Sequence, residues 1–273
     1  MDIVWSEALV LASSLLVAGA VSGFLAGLFG IGGGAVLVPV LVSVLGFVGV
    51  DPSVIMHVSV ASSLGVIVPT SIRSFMTHRA KGAVDKDLLK SWVIAVPIGV
   101  VLASWFASKA SDSELKIVFV VIAFAVALRM LLNRDNWSLA SDVPTNPLRA
   151  FIGALIGFFS TLMGIGGGVL TNTFMTLCGR PIHQAVATSS GVGLLISVPG
   201  FFGMVAAGWG SANLPPFSLG YVNLLAVAII IPTSITLAPW GAQVAHKMPK
   251  RKLEIGFGVF LLIVCGRFIY GLV

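Results

Sequence analysis

Ten apolar stretches separated by short polar connectors dominate this chain and limit what it can fold into. Their approximate bounds are 8–29, 35–48, 53–72, 88–107, 115–132, 148–163, 169–178, 184–206, 219–240 and 254–272. Backbone in lipid must satisfy its own N–H and C=O groups, so each stretch reads as a helix. Charge is correspondingly scarce, at 10% of residues, where soluble domains carry about 25%. A soluble enzyme, a nucleic-acid binder and a disordered chain are excluded on that ground. The expected fold class is an all-α polytopic membrane protein whose first partner is the lipid bilayer. The net charge of +6 then reads as basic loops gathered on one membrane face rather than as a nucleic-acid signal. Cys178 and Cys265 both stand in apolar context and read as packing residues, so neither a metal site nor a cofactor is expected. The opening MDIVWSEALV has no basic n-region and makes a poor signal peptide.

The chain repeats itself. GFLAGLFGIGGG at 23–34 matches GFFSTLMGIGGG at 157–168, Ser62-Ser63 matches Ser189-Ser190, Pro97 matches Pro232, and Arg129 matches Arg267. Matching order at near-equal spacing points to a duplication. It divides the chain into a first transmembrane repeat at 1–132, a connector at 133–147 dense in turn formers, and a second repeat at 148–273. Five segments per half is an odd number, which inverts one repeat relative to the other.

The basic residues give the expected orientation. If all ten segments cross, one face collects Arg73, Arg79, Lys81, Lys86, Lys90, Arg129, Arg134, Arg149, Arg180, Lys247, Lys250, Arg251 and Lys252, thirteen in all. The other face holds two, Lys109 and Lys116, and Arg267 lies inside the last segment. The positive-inside rule makes the first face cytoplasmic and puts both termini in the periplasm. Residues 150–163 and 169–178 are too short to cross a core of about 30 Å. They read as a hairpin entering from the cytoplasm with GIGGG at its buried tip, and 16–48 as its counterpart from outside. A hairpin that returns to its own face keeps the same parity as two crossings.

Two glycine tracts come first as a candidate site: Gly30, Gly32, Gly33 and Gly34, then Gly164, Gly166, Gly167 and Gly168. Each opens a helix, where free N–H groups and the positive end of the dipole favour an anion. Short glycine-broken segments at matching places in two halves are the pattern of a transporter binding site; tight helix packing is the competing reading. Ser62, Ser63, Thr188, Ser189 and Ser190 lie near mid-segment and can donate to an anion, unless they bond back to their own helix. Asn172 follows the second tract by one turn and can donate as well. His57, His183 and Gln184 stand near segment starts, where an interfacial side chain is the plainer reading and proton coupling or gating the sharper one. Arg129 and Arg267 lie near segment ends. Snorkelling to headgroups accounts for them, and drawing anions to each mouth is the alternative.

No Asp or Glu lies deep in any segment, which argues against a cation bound by side-chain charge. No GK[ST] phosphate loop is present, so the chain does not itself hydrolyse ATP. A serine–histidine intramembrane protease would need a cross-helix pair, since the spacing of His57 to Ser62 suits no single helix face.

GFLAGLFGIGGGAVLVPVL and GFFSTLMGIGGGVLTNTFM, with THRAKGAVD after the third segment and KLEIGFGVFLLIVCGRFIY at the end, resemble the TauE/SafE-like sulfite exporter family of anion permeases. The resemblance covers nearly the whole chain. It implies a bacterial inner-membrane carrier, not an enzyme, moving a small sulfur-containing anion such as sulfite, a sulfonate (sulfoacetate) or thiosulfate. Alternating access is the expected mechanism, with Pro97 and Pro232 kinking their segments to allow rocking. An anion-selective channel of the same architecture is the main alternative. A homodimer is compatible with the sequence. Thr173, where the family's second half often has proline and where Pro39 stands in the first, is a departure in this chain.

Overall fold

The computed structural model describes residues 5–29, 34–80, 82–132 and 142–271. Ten helices run through these: α1 Trp5–Phe29, α2 Gly34–Phe47, α3 Ile55–Ala80, α4 Lys86–Ala107, α5 Asp112–Leu132, α6 Leu148–Leu162, α7 Gly168–Leu177, α8 Ile182–Ala207, α9 Leu224–His246 and α10 Lys250–Tyr270. Six of them, α3, α4, α5, α8, α9 and α10, are long and apolar enough to cross a membrane. The protein is an all-α polytopic membrane protein. One expectation needs correcting. Residues 219–223, read above as the start of the ninth helix, belong to a small hairpin, β1 Ser218–Leu219 with β2 Val222–Asn223. Gly220 at its turn has φ +53, and helix begins only at Leu224.

Helix lengths separate the two hairpin candidates. With 15 and 10 residues, α6 and α7 reach about 22 Å and 15 Å, each short of a hydrocarbon core of about 30 Å. In the first half α2 has 14 residues but α1 has 25, so that the two are not both short as α6 and α7 are. The break between α1 and α2, which carries Gly30, Gly32 and Gly33, lies outside the described residues.

The packing pairs map onto one another when the halves are exchanged. α1 lies along α9 as α6 lies along α4; α2 meets α3 as α7 meets α8; α3 packs on α8 and α5 on α10. Small residues set the closest pairs. Gly19 and Gly23 on α1 face Thr233 and Ser234, and Gly153 and Gly157 on α6 face Trp92 and Val96. This is the spacing that lets membrane helices approach backbone to backbone. Trp92 is fully buried there and donates its indole N–H to the Arg149 carbonyl at 2.9 Å.

These contacts correct two pairings read from sequence. Gly157 meets Val96 where Gly23 meets Ser234, so Pro97 corresponds to Ile235 and Pro232 stands about one turn away. His57 leads Ser62 by the same five residues as His183 leads Thr188, so Ser62 pairs with Thr188 and Ser63 with Ser189.

Candidate functional site

The two glycine tracts meet. A Cβ on Gly34, the first residue of α2, would lie 2.5 Å from the Gly164 carbonyl oxygen and 2.8 Å from Ile165 Cα. In the second tract α6 closes with Gly164 N–H donating to Thr161 O at 3.0 Å and Ile165 N–H to Ser160 O at 2.8 Å. Gly164 then turns at φ +62 and Gly167 at φ +73, left-handed geometry that glycine adopts without the Cβ clash. Gly167 is the N-cap of α7, which begins at Gly168. Its carbonyl accepts from Thr171 N–H at 2.9 Å, while the first-turn amides of an α-helix have no acceptor within it.

The tip is packed rather than open. A Cβ on Gly166 would meet Ile67 Cγ2 at 2.7 Å, and one on Gly167 would meet Ile196 Cδ1 at 2.6 Å with Thr171 Oγ1 at 3.6 Å. Gly166 and Gly167 are therefore closely packed in this conformation. Around them stand buried hydroxyls with no hydrogen-bond partner among the described residues: Ser160 Oγ on α6, Thr171 Oγ1 on α7 and Ser197 Oγ on α8. Asn172 Oδ1 is equally unpartnered. Buried polar atoms are nearly always bonded, so such a group is a reserve for a water, an ion or a moving neighbour.

The mid-segment hydroxyls divide into two kinds. Ser63 Oγ donates to Gly164 O at 2.8 Å, tying α3 to the glycine tip of the other half. Ser62 Oγ accepts from Asn223 N–H at 3.0 Å, and Thr188 Oγ1 accepts from Asp85 N–H at 2.9 Å. In contrast, Ser189 and Ser190 donate within their own helix, to Val186 O at 2.9 Å and Ala187 O at 2.6 Å. The back-bonding reading holds for those two.

Asp85 and Asn223 escaped the sequence reading. Each caps the fourth helix of its half: Asp85 Oδ1 accepts from Leu88 N–H at 3.0 Å, and Asn223 Oδ1 from Ala226 N–H at 2.8 Å. An Asp or Asn three residues before the first free amide of an apolar run was the available signal. Each gives its own N–H to the third helix of the opposite half. Asp85 also faces Arg180, 3.9 Å from the nearer guanidinium nitrogen, which pairs more closely with Asp142 at 2.7 Å. Asn223 uses its side-chain amide on Pro216 O at 2.9 Å and Ser218 Oγ at 3.2 Å.

The histidines are not equivalent, and the interfacial reading fails for one. His57 is 3% exposed. Its Nε2–H is shared between the Ala107 and Ala110 carbonyls, each at 3.1 Å, and its ring lies 4.6 Å from that of Tyr221. Two carbonyl acceptors fix the proton on Nε2, leaving Nδ1 buried without a partner among the described residues. His183 is exposed and Gln184 half-buried. Arg129 does not simply snorkel: its guanidinium donates to Thr176 Oγ1 on α7 at 3.1 Å. Arg267 is exposed and stands with Lys116 at the rim of a cavity.

A model of the family described as "Sulfite exporter TauE/SafE" matches residues 15–268. A "Probable membrane transporter protein" of Haemophilus influenzae is 35% identical over 250 residues, covering 91% of this chain and 94% of the relative. One of Methanocaldococcus jannaschii is 29% identical, covering 91% and 92%. One of Bacillus subtilis is 23% identical, covering 94% and 96%. No solved structure matches the chain.

Proposed function

The chain belongs to the TauE/SafE sulfite exporter family, a membrane transporter and not an enzyme, and from that premise we propose that it is a secondary carrier of a small sulfur-containing anion. Sulfite, a sulfonate such as sulfoacetate, and thiosulfate are the candidate substrates. The observation that carries this reading is the meeting of the two glycine tracts, in which Gly34, the first residue of α2, lies against Gly164 and Ile165 in the turn between α6 and α7. Backbone amides at helix N-termini bind oxyanions without side-chain charge. The unpartnered Ser160, Thr171 and Ser197 hydroxyls are donors available once the packed tip loosens. The proposed site comprises Gly30, Gly32, Gly33 and Gly34 with Ser62 and Ser63, and Gly164, Gly166, Gly167 and Gly168 with Asn172 and Thr188; Ser189 and Ser190 join it once their hydroxyls leave the Val186 and Ala187 carbonyls.

The mechanism is alternating access by two inverted repeats, 1–132 and 148–273, joined through 133–147. Its support is the exchange symmetry of the helix pairs and the crossed contacts of Asp85 and Asn223. The termini lie in the periplasm, and the thirteen basic residues at the helix ends and connectors of the other face lie in the cytoplasm, in a bacterial inner membrane. Impermeant labelling of single cysteines in loop 81–85 from outside would overturn that orientation.

Reconstituted protein tests the substrate and mechanism together. Proteoliposomes are offered sulfite, thiosulfate, sulfoacetate and sulfate, with the same anion trapped inside or absent. Saturable uptake of one sulfur anion, accelerated several-fold by trapped anion, is the expected result. Unsaturable flux with single-channel currents would make the protein a channel, and flux of none of the four would refute the substrate class.

A further inference from the structure

Helices α5 and α10 share one design and differ at one telling position. Each has 21 residues, and each places an arginine at the same point, Arg129 and Arg267. The fully buried Phe119 and Phe257 occupy matching places in the same register. In that register Lys116 of α5 corresponds to Glu254 of α10. The two arginines therefore have opposite neighbours across the helix pair. Arg129 has the Glu254 carboxylate within electrostatic reach and bonds Thr176 on α7. Glu254 also lies 3.5 Å from Arg251, whose guanidinium donates to the Met130 and Leu131 carbonyls at the end of α5. That end of the pair is closed by internal charge balance.

The other end is not closed. Arg267 has Lys116 beside it where Arg129 has Glu254, and it pairs with no carboxylate among the described residues. Among the described residues Lys116 pairs with Asp112, at 2.7 Å. That carboxylate also accepts from Met56 N–H at 2.6 Å. Asp112 thus balances the Lys116 ammonium, and the Arg267 guanidinium adds a charge that no carboxylate among the described residues pairs with. Between them and the end of α2 is a cavity of about 350 Å³ lined by Ser43, Gly46, Phe47, Lys116, Arg267 and Phe268, among others. Phe47 at its rim is 76% exposed.

We propose that this cavity binds a tetrahedral oxyanion held by the Arg267 guanidinium and the Lys116 ammonium. The guanidinium fork matches two oxygens of such a group, and the ammonium adds a point charge. The shared chemistry is that of a phosphodiester or free phosphate: a lipid headgroup at the membrane surface, or a soluble anion arriving at the same place. Basic pockets between transmembrane helices on the cytoplasmic side take anionic headgroups in this way, and by the orientation proposed above this one would be a periplasmic counterpart. The site is separate from the glycine tips and does not depend on what they bind.

Purified full-length protein tests the assignment with two probes. In one arm it is placed in nanodiscs of phosphatidylcholine with or without phosphatidylglycerol, and lipids retained after release are counted by native mass spectrometry. In the other it is titrated in uncharged detergent with inorganic phosphate by calorimetry. At least tenfold preference for the anionic lipid, cut fivefold or more by Arg267→Gln and by Lys116→Gln, assigns the site to a headgroup. Phosphate binding lost in the same variants, without lipid preference, assigns it to a free anion. Lys109→Gln, an exposed lysine in the loop before α5, leaves both readouts unchanged. The ion count is made only on protein that elutes as a single folded species, so a variant that unfolds is not read as a loss. Retention and phosphate binding equal in wild type, Arg267→Gln and Lys116→Gln would overturn the proposal.

Discussion

Asp85 and Asn223 do the same mechanical task with different chemistry. Both cap the fourth helix of one half and offer the same backbone N–H to a hydroxyl on the third helix of the other. At Asp85 the cap is an anion, the acceptor is the Thr188 hydroxyl, and Arg180 and Asp142 surround it with charge. At Asn223 the cap is neutral, the acceptor is Ser62, and the remaining bonds go to a carbonyl and a hydroxyl of the preceding loop. A carboxylate at a helix N-terminus gains from the dipole, an amide gains only its hydrogen bond. The geometry is thus duplicated while the response to ionic conditions is not. Under the alternating-access reading proposed above, contacts of one shape and different strength would give the two openings different costs.

That comparison holds only if the glycine tips keep both halves in register, so the largest effect is expected there. Gly34→Val would drive a side chain into the Gly164 carbonyl and Ile165 backbone, neither of which can give way alone. Gly167→Val adds a left-handed φ of +73 to a contact with Ile196. Both variants should abolish transport in the proteoliposome assay and expose the Asp85 and Asn223 amides to solvent exchange together. Full transport by Gly34→Val would show that the two tracts need not adjoin.

The next test breaks each contact by itself. Ser62→Ala removes the acceptor of Asn223 N–H, and Thr188→Val that of Asp85 N–H. Leaving a buried amide without an acceptor costs about 1–3 kcal/mol. Hydrogen exchange at the orphaned amide should rise by about tenfold or more, while the other contact stays protected. Equal acceleration at both amides in both variants would mean that the two contacts open as one unit.

A smaller change sharpens the chemical difference. Asp85→Asn makes the first contact neutral like the second, and costs about 0.3–1 kcal/mol for the lost charge at the helix start. In wild type, raising salt from about 0.1 M to 1 M should speed exchange at Asp85 more than at Asn223, because screening reaches charged pairs and not neutral bonds. In Asp85→Asn that salt response should shrink. A salt response unchanged by the substitution would locate it in the exposed Arg180–Asp142 pair rather than in the cap.

Sequence made the helices and the duplicated glycine string legible, because apolar length and a repeated twelve-residue pattern are local signals. It also singled out Ser62, Ser63 and Thr188, whose hydroxyls the structure shows bonded to the opposite half. It could not reveal Asp85 and Asn223 as partners of those hydroxyls, since the bonds join residues 103 and 161 positions apart. Nor could periodicity separate His57 from His183: both open an apolar helix, and only tertiary packing buries one against Tyr221 and leaves the other exposed. The small hairpin before α9 was hidden because Leu219, Tyr221 and Val222 extend the apolar run of the helix that follows.

The smallest effect is expected where two serines on different helices were given one role. Ser63 reaches across to the Gly164 carbonyl of the opposite half, whereas Ser190 turns back on Ala187 in its own helix. Ser63→Ala removes a contact between halves and should cost about 0.5–1.5 kcal/mol, a net hydrogen bond. Ser190→Ala removes a bond that competes with the helix ladder and adds little to it, so stability should change by no more than about 0.5 kcal/mol. Thermal unfolding of the purified protein reads the stability difference. Anion affinity reads the other half of the question, because a Ser190 hydroxyl that leaves Ala187 to meet substrate would matter for binding while leaving the melting midpoint alone. A Ser190→Ala variant with unchanged midpoint and an affinity loss as large as that of Ser63→Ala would show that the hydroxyl swings inward during transport. Affinity and midpoint both unchanged would remove Ser190 from the site and leave Ser63 as the hydroxyl that joins the two halves at the glycine tip.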